Sequence, residues 1–240
     1  MTINNKIAIF LAARSGSKRL KNKHFLIVKS NLRIIDLCIL RLKKAKLVKK
    51  IFLCTTKRKE DNKFEKVCKE HNIELFRGST NNVAKRIIDC AKKNFIKTIV
   101  RITADCPIID PKLIDICLKL HFKENSDYTT NTIELSFPDG LDVEVVNLDA
   151  LEKSQRIDKS FFNKEHVTDF IRKSKLFKKC NYKNFFNYSN RRWTLDNSKD
   201  YLFLIKVVKY FYPNIFFSWQ EIIKAEKKKR SLINIKERLK

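Results

Sequence analysis

Four short apolar runs alternate with four amphipathic stretches in the first half of this chain. The runs lie at residues 7–11, 51–55, 73–76 and 98–103; the stretches, with apolar residues at helical spacing, lie at 32–47, 63–71, 83–94 and 111–122. Apolar strands separated by helices predict a mostly parallel sheet covered on both faces, because parallel neighbours need crossover connections and the crossover helices bury the sheet. Pro111 stands at the first turn of the last helix, where its missing N–H costs nothing. Ligands of such sheets lie beyond the carboxyl ends of the strands. The loops after residues 11, 76 and 103 are therefore the places to look for chemistry.

The pattern changes after residue 122. Residues 128–132 and 141–146 read as strands around a turn, 148–155 and 165–173 as helices, and 192–195 as a short strand before helices at 199–212 and 219–229. The segment 175–190 is aromatic and basic without a clear period. It suits an insertion, a lid or a dimer arm. No internal repeat and no Pro/Gly/Ser-rich linker divides the chain, so one compact α/β domain over residues 1–240, with an inserted lobe at about 133–190, is expected.

Composition narrows the class. Apolar residues make up 43% of the chain and include 18 Phe, enough for a substantial core. No apolar run reaches the roughly 18 residues of a membrane span. Arg14 ends the N-terminal apolar run too early for an export signal, and the expected location is the cytoplasm. The seven cysteines form no CxxC pair and lie mostly in apolar stretches, which fits reduced thiols; the four histidines show no ligand spacing. The net charge of +27 favours polyanions in general. Lysine is spread along nearly every helix, alongside abundant Asn, Ile and Phe, as a compositional bias of the genome would give. No nucleic-acid module is recognisable, so dedicated nucleic-acid binding is not expected.

The loop after the first strand is Leu11-Ala12-Ala13-Arg14-Ser15-Gly16-Ser17-Lys18-Arg19-Leu20-Lys21-Asn22-Lys23. It holds five cations and no acid, and one of only three glycines in the chain. Small residues leaving a strand, with Arg and Lys around them, suit polyphosphate: backbone N–H groups and cationic forks converge on its oxygens. Neither GxxxxGK[ST] nor GxGxxG is present. The second loop carries Arg77, Gly78, Ser79 and Asn82; it can meet a base and ribose, or Asn82 can simply cap the next helix. Each glycine is expected where a positive φ or close ligand approach is required, though an ordinary turn also accounts for Gly140.

Acids follow in three groups. Asp105 leaves an apolar strand at the sheet's carboxyl edge. A carboxylate facing a phosphate site is repelled unless a cation lies between, and Mg²⁺ is the natural partner. Asp110 before Pro111 reads as a helix cap. Asp142 and Glu144 are two apart on a strand and share a face; sugar hydroxyls, a cationic group or solvent would each suit them. Asp196 ends a short strand, where it can join Asp105 at one metal or cap the following helix.

Together these segments resemble a family. Ala13-Arg14-Ser15-Gly16-Ser17-Lys18-Arg19-Leu20 looks like the ARxGSxRL signature of the cytidylyltransferases that make CMP-activated sugar acids, and is most similar to the spore-coat polysaccharide biosynthesis protein F branch. Residues 103–111 resemble that branch's TADCPLIDP, 138–144 its PDGLDVE, 165–168 its EHVT and 192–196 its RWTLD. The motifs stand in family order from residue 6 to about 205. The resemblance implies a three-layer α/β/α nucleotide-diphospho-sugar transferase fold, Rossmann-like, with CTP as donor, Mg²⁺ and a homodimer. By it, Arg14, Ser17, Arg19 and Lys23 would hold the triphosphate, Ala13, Ser15, Gly16 and Asp105 would also belong to the nucleotide site, and Arg77, Gly78, Ser79 and Asn82 would lie near cytosine and ribose. Asp105 and Asp196 would bind the metal and, with Arg14 and Lys23, form the catalytic set. Asp139, Asp142, Glu144, Glu165 and His166 would face a sugar-acid acceptor. Ala12 and Lys21 stand where related enzymes carry Pro, and His24 and Phe25 also depart from the family pattern.

The expected activity is transfer of CMP from CTP to a sugar acid such as a nonulosonic or KDO-like acid, for surface polysaccharide or glycan synthesis. Two other classes share some features. A glycosyltransferase using a nucleotide sugar would release no pyrophosphate and needs fewer cations. A non-catalytic polyanion binder would have no use for Asp105 and Asp196.

Overall fold

Strand β1 (Ile7–Ala12) lies in the interior of a seven-stranded sheet, and its alternating side chains build both cores. Ile7, Ile9 and Leu11 join one apolar layer, while Ala8 and Phe10 join the other, as the two-residue repeat of a strand requires. The computed structural model describes residues 6–17 and 19–228. Lys18 of the basic loop and residues 229–240, with the last residue of the expected 219–229 helix, lie outside the described residues.

After β1 come a 3-10 turn (Lys23–Phe25), a small hairpin of β2 (Ile27–Lys29) and β3 (Leu32–Arg33), α1 (Ile34–Leu42), β4 (Ile51–Thr56), a second 3-10 turn (Lys59–Asp61), α2 (Lys63–Glu70), β5 (Glu74–Gly78), α3 (Val83–Lys93), β6 (Thr98–Thr103) and α4 (Pro111–Lys123). The later elements are β7 (Tyr128–Thr130), β8 (Glu144–Asn147), α5 (Leu148–Ile157), α6 (Phe161–His166), α7 (Asp169–Lys173), β9 (Lys179–Asn181), α8 (Ser198–Phe211) and α9 (Trp219–Lys228).

The sheet order is β5-β4-β1-β6-β8-β7-β9. β5, β4, β1 and β6 are parallel; β8 is antiparallel to both β6 and β7, and β9 is parallel to β7. Residues of α1, α2, α4, α8 and α9 pack into one core layer, and residues of α3, α5 and α7 into the other. The fold is thus the expected three-layer α/β/α arrangement with a mostly parallel sheet. From β1 the chain builds outward through β4 to β5, then returns to place β6 on β1's other side. This reversal opens a crevice at the carboxyl ends of β1 and β6, the place where open α/β sheets bind ligands. Ala12 pairs there with both Cys54 and Thr103.

Two expected helices differ. The 32–47 segment begins as a strand, because residues 32–33 pair with β2. Helix α1 starts only where the Asp36 carboxylate accepts the Arg33 amide at 3.0 Å. Its chain has already turned by Lys46 and Leu47, whose amides donate to Asp115 of α4 at 2.9 Å. The 165–173 segment is broken at Val167, which has φ +65° and ψ −59°. A 2.7 Å bond from the Thr168 amide to the His166 carbonyl closes a γ-turn around it. A β-branched residue there costs on the order of 1–3 kcal/mol. The fully buried Val167 side chain anchors it in the core.

Candidate active site

The crevice is a cleft of about 560 Å³. The basic loop supplies Ala12, Ala13, Arg14, Gly16, Ser17, Arg19, Lys23 and His24 to its wall. Helix α3 adds Val83 and Arg86; β6 and the turn after it add Arg101, Thr103, Ala104 and Asp105; α6 adds Glu165 and His166; and Asp196 closes the inner end.

Lys23 organises that end. Its Nζ donates to the Leu195 carbonyl at 2.8 Å and lies 3.2 Å from Asp196 Oδ1 and 3.5 Å from Asp105 Oδ2. The Leu195 amide in turn donates to the Asp105 carbonyl at 2.8 Å. Arg19 approaches Asp196 at 3.4 Å, and Arg192 binds Asp196 while its Nη1 meets Asp139 at 2.8 Å. Burial alone would raise the Asp196 pKa; Lys23, Arg19 and Arg192 outweigh it and hold the carboxyl below its ordinary value. His24, next to Lys23, is buried, and its Nδ1 has no partner among the described residues. Burial and the adjacent Lys23 charge lower its pKa to about 4, so the ring is neutral at pH 7.

The mouth is spanned by an ion pair, Arg14 Nη2 to Glu165 Oε1 at 3.0 Å. His166, on the same short helix, packs on the Phe162 ring with centroids 4.1 Å apart. The Val167 turn thus ends α6 with Glu165 and His166 on the cleft and sends Thr168 inward to Glu144.

Several residues named from the sequence stand elsewhere. Ser15 is buried behind the loop: its amide donates to Asp61 Oδ1 at 2.7 Å and its hydroxyl to the Glu60 carbonyl at 3.2 Å. Arg77 points away from the cleft, with bonds to the Thr56 and Arg58 carbonyls and to Glu65. Asn82 caps α3, accepting the Lys85 amide at 2.7 Å, and Ser79 Oγ accepts the Asn82 amide. A side chain at Gly78 would collide with Arg86 Cγ at 2.7 Å, so this glycine makes room for an arginine. Gly140 has φ +106° and abuts the Trp193 main chain, which only glycine tolerates. Gly16 shows no such constraint; a Cβ there would make ordinary contacts.

Among the acids, Asp139 is paired with Arg192, and the half-buried Asp142 is outside the cleft wall. Glu144 is buried among Arg101, Thr168 and the Tyr128 hydroxyl, the last at 2.7 Å. Burial is again outweighed, here by Arg101 and the two hydroxyl donors, and the Glu144 pKa is lowered.

Arg86, Arg101 and His24 are cleft groups that the motifs did not point to. Helical spacing carries the first: Arg86 is three residues after Val83 and shares its face of α3. Strand alternation carries the second, since Arg101 and Thr103 share one face of β6.

Among the described residues no group of three His, Cys, Asp or Glu side chains could hold a metal ion. Asp105 and Asp196, now sharing Lys23 Nζ, are oxygen donors of the kind a hard cation such as Mg²⁺ takes, with water and substrate phosphate completing its shell where Lys23 gives way. They do not suit zinc, which takes three or four protein ligands.

Similarity to known proteins follows the same lines. Residues 8–230 match a family model described as cytidylyltransferase. An uncharacterized protein of Methanocaldococcus jannaschii is 37% identical over 210 residues, covering 86% of this chain and 84% of that protein. Spore coat polysaccharide biosynthesis protein SpsF of Bacillus subtilis is 30% identical over 207 residues, covering 82% of this chain and 84% of that one. The solved structure of a cytidylyltransferase from Leptospira borgpetersenii superposes with a TM-score of 0.90 at 32% identity, over 95% of this chain and 96% of that chain. A CMP:2-keto-3-deoxy-manno-octonic acid synthetase solved with CTP shares the fold, with a TM-score of 0.64 at 11% identity over 85% of this chain and 99% of that chain.

Proposed function

We propose, on the premise that this chain belongs to the cytidylyltransferase family, that it transfers CMP from CTP to a hydroxyl of a sugar acid and releases pyrophosphate. The observation that carries this reading is the inner end of the cleft, where one buried lysine is shared by Asp105 and Asp196 beneath the wall formed by Arg14 and Arg19.

In this reaction the acceptor oxygen forms a bond to the α-phosphorus as the bond to the pyrophosphate oxygen breaks, and the acceptor's hydroxyl proton passes to solvent water or to the departing pyrophosphate. The protein's task is positioning and charge neutralisation. Arg14, Arg19 and Lys23 neutralise the β- and γ-phosphates and the departing pyrophosphate. Arg14 exchanges its Glu165 partner for phosphate, which releases the Glu165 carboxylate toward the acceptor side. Neutral His24 lets Lys23 sit beside it without a second cation to repel. Mg²⁺, held by Asp105 and Asp196, would supply charge neutralisation at the phosphate oxygens. Glu165 and His166 bound the acceptor subsite. Glu144 and Asp139 act behind it, as the counter-ions of Arg101 and Arg192.

We further propose a cytoplasmic homodimer, in one domain whose 133–190 lobe serves acceptor binding and dimerisation. The free cysteines accord with a reducing compartment, and Phe185 and Phe186, exposed in that lobe, offer apolar surface. Among the described residues no helix is long and apolar enough to cross a membrane.

The test is pyrophosphate release from CTP, UTP, ATP and GTP, each with a panel of nonulosonic and KDO-like acids, with and without Mg²⁺. Release specific to CTP and to a sugar acid is expected. Failure with CTP across the panel would overturn the reading.

A further inference from the structure

Asp61 belongs to none of the family motifs and does not line the cleft, yet it holds the basic loop from behind. It ends the 3-10 turn after β4 and is 1% exposed. Its Oδ1 accepts the Ser15 amide at 2.7 Å and its Oδ2 accepts the Thr56 hydroxyl. The neighbouring Glu60 carbonyl takes the Ser15 hydroxyl at 3.2 Å. A carboxylate buried this deeply is costly unless its oxygens are paired. Here burial is outweighed by Thr56 and Ser15, and the group stays ionised. The Arg86 pKa is lowered, by burial first and by Arg14 as well, and the Asp61 charge opposes this only in part.

The consequence for the loop is directional. The Ser15 amide, midway along the small-residue turn, is drawn back to Asp61. Among the described residues the amides of Arg14 and Gly16 on either side have no partner, and both residues line the cleft. A loop pinned at its centre keeps its flanking groups forward, and it does so before any ligand arrives. The ordering cost is then met in folding rather than at binding.

We propose that Asp61 is a positioning residue that presets the basic loop for polyphosphate through the Ser15 amide. It touches no substrate itself. The proposal rests on the reading that this loop grips the triphosphate of CTP.

Two ligands separate the two claims. Inorganic tripolyphosphate and CTP are titrated calorimetrically into the wild-type full chain, Asp61→Ala and Asp61→Asn, with melting temperatures measured alongside. Loss of a hydrogen bond to a charged group predicts that Asp61→Ala weakens both ligands about tenfold or more. Its KM for CTP should rise by the same factor, while kcat changes less than about threefold, because Lys23, Asp105 and Asp196 are untouched. Asp61→Asn keeps an oxygen for the Ser15 amide and should stay within about threefold of wild type. Its retained acceptor also guards against Asp61→Ala failing to fold. Unchanged tripolyphosphate affinity in Asp61→Ala would overturn the proposal. So would an Asp61→Asn variant, folded, that binds as weakly as Asp61→Ala, since charge and not the hydrogen bond would then be responsible. A wild-type protein that binds tripolyphosphate but releases no pyrophosphate from CTP would contradict the reaction, and the tripolyphosphate affinities of the two variants would still decide the role of Asp61.

Discussion

Lys23 and Arg41 are both buried cations, and their surroundings differ in kind. Arg41 is fully buried in α1. Its fork donates to the carbonyls of Ile109, Ile215, Ile108 and Phe217 at 2.9, 2.7, 3.3 and 2.9 Å, and it lies 4.6 Å from the Phe217 ring centre. Burial lowers its pKa to about 10, so it stays charged. Among the described residues no carboxylate is within ion-pair distance. Lys23 has one carbonyl and two carboxylates, and those carboxylates open onto a cleft. A cation engaged by the backbone ties loops together and has nothing to exchange. A cation shared by two acids at a cleft can trade partners when a phosphate arrives. Burial alone does not separate structure from chemistry; the identity of the partner does.

The largest test of that contrast is at the cleft. Asp105→Ala should lower CTP-dependent turnover by about 10³-fold or more, on the order of 4 kcal/mol of transition-state stabilisation, with the fold intact because Asp105 is partly exposed. Pyrophosphate release and a melting curve on the same sample check both halves. Near-normal release would remove the chemical side of the comparison.

At the other pole, Arg41→Met should destabilise the fold by about 3–5 kcal/mol, since it strands buried carbonyls. Urea denaturation measures this, and the fraction still folded should bind CTP as wild type does. A stable Arg41→Met protein with impaired CTP binding would reverse the assignments.

Mild acid should reach the cleft and leave the Arg41 site alone. His24 has a pKa of about 4 when folded against an ordinary 6.5. The unfolded chain therefore takes up a proton that the folded chain refuses. Stability is full above about pH 7 and falls as the pH drops toward 4, by up to ~3 kcal/mol. Asp196, with its pKa depressed below 3.8, keeps its contribution through that window and loses it only at lower pH. Melting curves from pH 7 to 4 should show a shallower acid limb in His24→Gln than in wild type.

The smallest effect sharpens the contrast within the arginines. Arg14→Ala should raise KM for CTP about tenfold, the loss of one charge-assisted contact. Arg77→Ala should change it less than about twofold, because that guanidinium is engaged by the Thr56 and Arg58 carbonyls and Glu65. Equal effects would return Arg77 to the nucleotide site.

Much of this molecule was legible before its structure. The strands at 7–12, 51–56 and 98–103 are built mainly on apolar residues, interrupted in the last by Arg101, and β6 matches its expected bounds throughout. Asp110 and Asn82 cap helices where short polar side chains precede them. The cleft brings together Arg14, Lys23, Asp105, Asp196, Glu165 and His166, which lie far apart in the chain. The rest was hidden for physical reasons. Ser15 and Gly16 are adjacent in one turn, and only the position of Asp61, outside the motif, decides which faces inward. Glu144 reads as a ligand by type, but Arg101 and two hydroxyls already surround it. The break at Val167 contradicts local preference, since a valine adopts a positive φ only when the core holds its side chain. Arg86 and Arg101 carry no motif and were recoverable only from the side of the helix or strand they share with known cleft residues.

Every role assigned to the cleft around Lys23 depends on its binding CTP. Calorimetric titration of CTP into wild type and Lys23→Met, with melting temperatures recorded in parallel, tests it without knowledge of the acceptor. Saturable binding to wild type, at least about tenfold weaker in a still-folded Lys23→Met, is the predicted result. A wild-type chain that does not bind CTP, or a variant that binds it equally well, would contradict the account.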